Sequence, residues 1–237
     1  MGRFFSQWLI LFFSVLLLAP PASRAADYAA ERNDMVESQI VGRGVRDPRV
    51  IRAMKTVPRH LFVPFWSVPE AYYDRPLPIG EGQTISQPYI VAFMSELLEL
   101  KGDERVLEVG TGSGYQAAVL SHLCGEVYTI EIKPVLHKSS AARLNEGGYK
   151  NVHARAGDGY YGWEGKGPFA AIMITAAVDH IPPPLVRQLK EGGKLVLPLS
   201  KSFLFQTLAV VTKRGNKVEV RYSIPVRFVP MTGGALR

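Results

Sequence analysis

At 237 residues, with 47% hydrophobic and 21% charged content and a mean hydropathy of +0.04, the chain reads as an ordinary folded protein with one α/β core and room for a small appendage. The formal net charge of +7 comes from basic residues spread along the chain, which describes a solvated exterior and argues against a dedicated nucleic-acid surface. A single cysteine, Cys124, excludes an internal disulfide and a cysteine-based zinc site, and the scattered histidines show no metal-ligand spacing, so no metal is expected.

The chain starts positive at Met1-Gly2-Arg3, is almost wholly apolar from Phe4 to Leu18, and then turns to small residues. That is the plan of a secretory signal peptide, with Ser23-Arg24-Ala25 as the cleavage site. The apolar run falls short of the ~20 residues that a comfortable spanning helix needs. Residues 1–25 are therefore expected to direct export to the periplasm and to leave no stable membrane span once removed. The alternative is a cytoplasmic chain.

From Glu31 to Ile40 the pattern is helical, and Gly42-Arg43-Gly44 breaks it. Asp47-Pro48 opens a second short helix, with Asp suited to the N-cap and Pro to the first turn, and Pro58 ends it. Pro64 to Gly82 reads as an irregular aromatic segment folded against the core. Ser86 and Pro88 mark another helix start, whose buried face is Ile90, Met94, Leu97 and Leu98. Strand and helix then alternate. Strands are expected at Arg105–Val109, Val127–Ile132, Asn151–Arg155, Phe169–Thr175 and Lys194–Leu199, with helices through Ala117 to Leu123, at Pro134–Leu144 and at Pro184–Leu189. Thr207–Thr212 and Val218–Ile224 are separated by a link too short for a crossover, so they should be antiparallel neighbours. The expected fold class is α/β: a doubly wound sheet finished by a C-terminal antiparallel hairpin, with a small N-terminal helical cap.

Glu108-Val109-Gly110-Thr111-Gly112-Ser113-Gly114 falls at a strand-to-helix junction, where glycines let the backbone approach a nucleoside closely. Some twenty residues on, Glu131 ends the next strand, where a carboxylate can accept from two ribose hydroxyls. The dinucleotide fingerprint would place its third glycine at Tyr115, and no phosphate-loop lysine follows. A ligand without phosphates, bearing adenosine and a charged amino-acid tail, fits better than NAD. The spacing looks like the first motif of S-adenosylmethionine methyltransferases. Asp158, in Gly157-Asp158-Gly159 after the third strand, could accept from an adenine amino group, or could simply make an Asp-Gly turn. The fourth strand ends in Thr175-Ala176-Ala177, which lacks the Pro-Pro-aromatic device of amino-group methylation, and no Pro-Cys nucleophile is present.

Longer blocks resemble one family. Val57-Pro58-Arg59-His60, Pro76-Leu77-Pro78-Ile79-Gly80, Gly82-Gln83-Thr84-Ile85-Ser86-Gln87-Pro88, the glycine turn extended through Tyr115-Gln116, Ile174-Thr175-Ala176-Ala177 and Val226-Arg227-Phe228-Val229-Pro230 are similar to protein-L-isoaspartate O-methyltransferases. The resemblance spans Met35 to Gly233. It implies a Rossmann-like methyltransferase fold and methyl transfer from S-adenosyl-L-methionine to the free carboxylate of L-isoaspartyl residues in damaged proteins and peptides. No nucleic-acid partner is expected, and a monomer is the working expectation. It further implies that Ser86 is the active-site residue. Gly110, Thr111, Gly112, Ser113, Gly114, Glu131, Asp158 and Gly159 would hold the methyl donor, and Thr84, Ile85, Val226 and Phe228 would lie near the peptide. The organisation expected is a signal-like segment at 1–25, a cap and aromatic segment at 26–82, and the donor-binding domain at 83–237. Two departures stand out: Ala170 replaces the family's aspartate in Pro168-Phe169-Ala170-Ala171, and the leader-like N-terminus is unusual for a family whose cofactor is made in the cytoplasm.

Overall fold

The computed structural model describes residues 24–202 and 205–236. The signal-like stretch anticipated at 1–25 lies outside them except for its last two residues. Helix α1 (Arg24–Asp34) continues into a wider π turn at Met35–Ile40, so the anticipated Glu31–Ile40 helix begins earlier and loosens at Met35. Met35, Val36 and Ile40 are buried there. Helix α2 (Pro48–Thr56) is capped as the sequence suggests, with the Arg49 amide donating to Asp47 Oδ1 at 2.8 Å. Such a cap contributes ~1 kcal/mol.

The stretch read as irregular needs correction at its end. Leu77–Gly80 (β1) and Gln83–Ile85 (β2) pair as a small antiparallel hairpin through the tight turn at Glu81-Gly82. Pro76 and Pro78 obscure it, yet a two-stranded ribbon is all edge and tolerates a strand proline. Helix α3 (Pro88–Leu97) follows directly.

The main sheet contains β3 (Arg105–Val109), β4 (Glu126–Glu131), β5 (Val152–Ala156), β6 (Phe169–Ile174), β7 (Leu189–Ser202), β8 (Phe205–Arg214) and β9 (Lys217–Val226). Their order is β5-β4-β3-β6-β7-β8-β9, parallel through β7, with β8 antiparallel to β7 and β9 antiparallel to β8. Helices α4 (Tyr115–Leu120), α5 (Pro134–Glu146) and α6 (Pro183–Arg187) complete the crossovers. β7 is longer than the anticipated Lys194–Leu199 because Leu189 already pairs with Phe169. Ala170 sits at an irregularity of that pairing, which is where the aspartate departure falls.

Period-two alternation sends successive strand residues to opposite layers. Val106, Ala171 and Met173 join one apolar cluster, and Leu107, Ile172 and Ile174 join the other. The first cluster also takes in Met35, Val50, Met54 and Phe62 from the N-terminal region, so cap and sheet share one core. Arg59 lies at that seam. Its Nε donates to the Ala71 carbonyl at 2.8 Å, and its Cζ sits 5.0 Å from the Tyr115 ring centroid. Full burial pulls its pKa down to about 10.

Candidate active site

β3 and β6 are neighbours at the centre of the sheet, and the connections leaving them reach β4 on one side and β7 on the other. A crevice opens at the carboxyl ends of strands at such a switch point. The turn after β3 fits there because it starts with glycine. Gly110 has φ +99°, and a Cβ on it would lie 2.4 Å from Thr175 Oγ1 at the end of β6. In the space left, the Thr175 hydroxyl donates toward the Gly110 carbonyl at 2.7 Å, fastening the two strand ends together.

The second acidic position is equally constrained. The Gly112 amide donates to Glu131 Oε2 at 2.7 Å and the Lys133 amide to Oε1 at 2.9 Å, so the carboxylate at the end of β4 is held between the glycine turn and the start of α5. Beneath the turn, Thr111 Oγ1 and Thr129 Oγ1 lie 2.6 Å apart, and Thr129 donates to Glu108 Oε2 at 2.6 Å. Glu108 is wholly buried, and its Oε1 has no partner. Burial pushes its pKa up to about 8; the Thr129 hydrogen bond opposes this and the nearby Glu131 charge adds to it.

Three connected spaces surround this framework. A cleft of about 600 Å³, counting its open mouth, is walled by Gly110, Gly112, Glu131, Ile132, Gly159 and the strap Val229–Thr232. A smaller recess of about 320 Å³ runs inward past Thr111, Ser113 and Glu108. A wider groove of about 1140 Å³ lies outside, between Arg43, Gln87, Val226 and Phe228. Thr84 and Thr175 line all three, and Ser86 lines the recess and the groove. Ser86 precedes α3, but Gln87 occupies the cap position and no side chain caps the helix. The Ser86 hydroxyl is therefore free of the structural task that its position suggested.

The residues singled out in the sequence do not all land alike. Gly110, Gly112, Glu131 and Gly159 line the cleft; Thr111 and Ser113 line the recess with Ile85. Gly114 lines none of these spaces and instead lets α4 pack on Leu144, whose Cγ would be 3.2 Å from an added Cβ. Asp158 stands just behind the cleft wall with both oxygens engaged, accepting from Tyr160 N at 2.9 Å and Gly234 N at 2.7 Å. Several residues escaped the sequence reading as site residues: Glu108, Thr175, Ile132, Arg43 and the strap. Thr175 lay within a quoted block and could have been found. Val229 and Pro230 of the strap lay in a quoted block too, but Met231 and Thr232 carried no local signal; backbone bonds between Ala177 and Val229 and between Met231 and Ala177, each 2.8 Å, bring the strap over the cleft.

Comparison with known proteins agrees with this geometry. A profile of the protein-L-isoaspartate(D-aspartate) O-methyltransferase family matches residues 30–236. The chain belongs to this family. It is 58% identical to protein-L-isoaspartate O-methyltransferase 2 of Shewanella sediminis over 97% of this chain and 94% of that one. It is 53% identical to the protein-L-isoaspartate O-methyltransferase of Opitutus terrae over 92% and 95%. Among solved structures, a protein-L-isoaspartate O-methyltransferase superposes with a TM-score of 0.79 at 29% identity, covering 86% of this chain and 67% of that one. A Plasmodium falciparum beta-aspartate methyltransferase, in complex with S-adenosyl-L-homocysteine, gives 0.73 at 25% identity over 85% and 98%. As a member of this family the chain is an S-adenosylmethionine-dependent methyltransferase, and the sheet with its antiparallel edge is the family's fold.

Proposed function

We propose that this enzyme methylates the free α-carboxylate of L-isoaspartyl residues in damaged proteins and peptides, starting their repair through a succinimide. The observation that carries the reading is the uncommitted Ser86 hydroxyl at the junction of the inner recess and the outer groove.

The donor fits the residues present. Glu108 offers a buried carboxyl oxygen with no protein partner, which suits a cationic α-ammonium group. Glu131, fixed by two backbone amides, suits the ribose hydroxyls, and Gly110 to Ser113 leave room for the backbone to approach closely. Ile132 and Gly159 wall the same cleft and suit the base. When bound, S-adenosylmethionine supplies an electrophilic methyl group on a sulfonium.

The acceptor carboxylate is already ionised at neutral pH, so the protein needs no strong general base. Its task is alignment and exclusion of water. Ser86 donates one hydrogen bond that holds the carboxylate at the mouth of the recess. Thr84 and Ile85 form the floor on the donor side, while Val226 and Phe228 give the peptide an apolar wall. Esterification converts a poor leaving group into methoxide, and the neighbouring backbone nitrogen can then close the ring.

The test is methyl transfer from labelled donor to paired peptides that differ only in L-isoaspartate or L-aspartate. Label on the isoaspartyl peptide alone, released as methanol in base, is the expected result; label on neither, or on both equally, would overturn the reading. We also read the leader-like segment as an export signal to the periplasm. N-terminal sequencing of the mature protein from fractionated cells checks this, and an intact Met1 in the cytoplasmic fraction would count against it.

A further inference from the structure

The outer groove is lined by two charged side chains, and both are arginines: Arg43, which follows the π turn, and Arg227, which follows β9. No aspartate or glutamate lines it among the described residues. The two arginines are held differently. Arg43 is spoken for, with Nη1 2.9 Å from Asp74 Oδ2 and Cζ 3.6 Å from the Tyr89 ring centroid. Arg227 makes no ion pair among the described residues, yet its root is fixed. The adjoining Phe228 is pinned through both backbone groups by Gln206, at 2.6 Å from its amide and 3.0 Å from its carbonyl. An exposed guanidinium on an anchored backbone, at the edge of a groove with no acidic residue on its lining, is available to an anion on a bound ligand.

The carboxylate that receives the methyl group is a poor candidate for that anion. A guanidinium grips both carboxylate oxygens and stabilises their charge, which would blunt the nucleophile and favour the ground state over the transition state. A single serine hydroxyl at the recess disturbs the nucleophile less. We propose that Arg227 reads a second negative charge on the bound polypeptide, an Asp or Glu side chain flanking the isoaspartyl residue. The enzyme therefore prefers damaged sites in acidic segments. The inference rests on the proposed reaction and deepens it by naming the substrate class.

Two sets of isoaspartyl peptides test it with the full chain. In each set the peptides are identical except for Glu, Gln or Lys at one neighbour, which follows the isoaspartyl residue in one set and precedes it in the other. At low ionic strength kcat/KM should fall about fivefold from Glu to Gln in at least one set, and further to Lys, as expected for a partly exposed charge contact. At about 0.5 M salt the order should flatten. Arg227→Gln should flatten it at low salt as well, and Arg227→Lys should keep it. Equal rates for all three peptides in both sets would overturn the preference while leaving the reaction intact. So would an order that persists in Arg227→Gln. Label on none of the isoaspartyl peptides would sink the reaction and this inference together.

Discussion

At residue scale, Glu108 titrates in opposite senses against folding and against ligand binding. Burial raises its carboxyl from the ordinary 4.5 to about 8, so between those values the folded chain holds a proton that the unfolded chain has released. Its contribution is therefore most favourable below pH 4.5 and is lost as pH rises toward 8, amounting to about 3 kcal/mol by pH 7. Glu108→Gln should raise the thermal midpoint more at pH 8 than at pH 5; melts that differ equally at both would refute the assignment. A cationic donor group beside Oε1 favours the ionised carboxylate, so donor binding at pH 7 should release a proton and tighten as pH approaches 8. Calorimetry in buffers of different ionisation enthalpy reads that proton directly. Ser86 works by geometry instead. Removing its one hydrogen bond to a charged acceptor in Ser86→Ala should lower kcat about 10- to 100-fold and move donor affinity far less. Equal turnover would take Ser86 out of the mechanism.

Among the elements, the strap after β9 depends on a contact that the sequence could not announce. The Asp158 carboxylate sits after β5, and its Oδ2 holds the Gly234 amide of the turn Gly233–Leu236. At Gly233, φ is +88° and an added Cβ would meet Asp158 Oδ2 at 2.5 Å, so the close approach depends on glycine. The strap walls the donor cleft through Val229 to Thr232, and Asp158 is one of its anchors. Asp158→Ala should weaken donor binding about tenfold, the loss expected of about 1.4 kcal/mol, and expose the last turn to carboxypeptidase. Unchanged affinity and protection would mean that the Ala177 backbone bonds suffice. The hairpin β1–β2 makes a similar point on a smaller scale. Its prolines concealed it from pattern reading, yet it delivers Thr84 and Ile85 to the recess.

For the whole molecule, the shared core decides which parts can be removed. The π turn and α2 bury Met35, Val50 and Met54 in the same cluster as Ala117 and Leu120 of α4, so the region before the hairpin is a structural part of the donor-binding layer. α1 is tied on by Tyr28, which stacks on His60 with centroids 4.3 Å apart, and by Arg32 Nε, 2.6 Å from the Lys55 carbonyl. A chain starting at Ala26 loses only the first two residues of α1 and keeps both ties. It should melt within about 2 °C of the full chain and transfer label at the same rate, because the ties that hold α1 to the core stay in place. A chain starting at Asp47 should fail to fold. Comparable melts for the two truncations would show that the shared core does not hold the layers together.

Alternation of apolar residues, turn glycines and cap residues determined the main-sheet strands, the helices and the glycine turn from sequence alone, because each depends on neighbours a few positions away. Glu131 was legible for the same reason, as its distance from the turn is the length of one helix and one strand. Tertiary structure decided what the strand order brings together. Thr175 reaches Gly110 because β6 lies beside β3, the strap reaches the cleft by pairing with Ala177, and Arg43 and Arg227, more than 180 residues apart in the chain, line one groove. Even Ser86, found in sequence, owed its free hydroxyl to a finding of the fold: the cap position of α3 belongs to Gln87. Local pattern records what one segment prefers, whereas a site is an agreement among distant segments that only packing enforces.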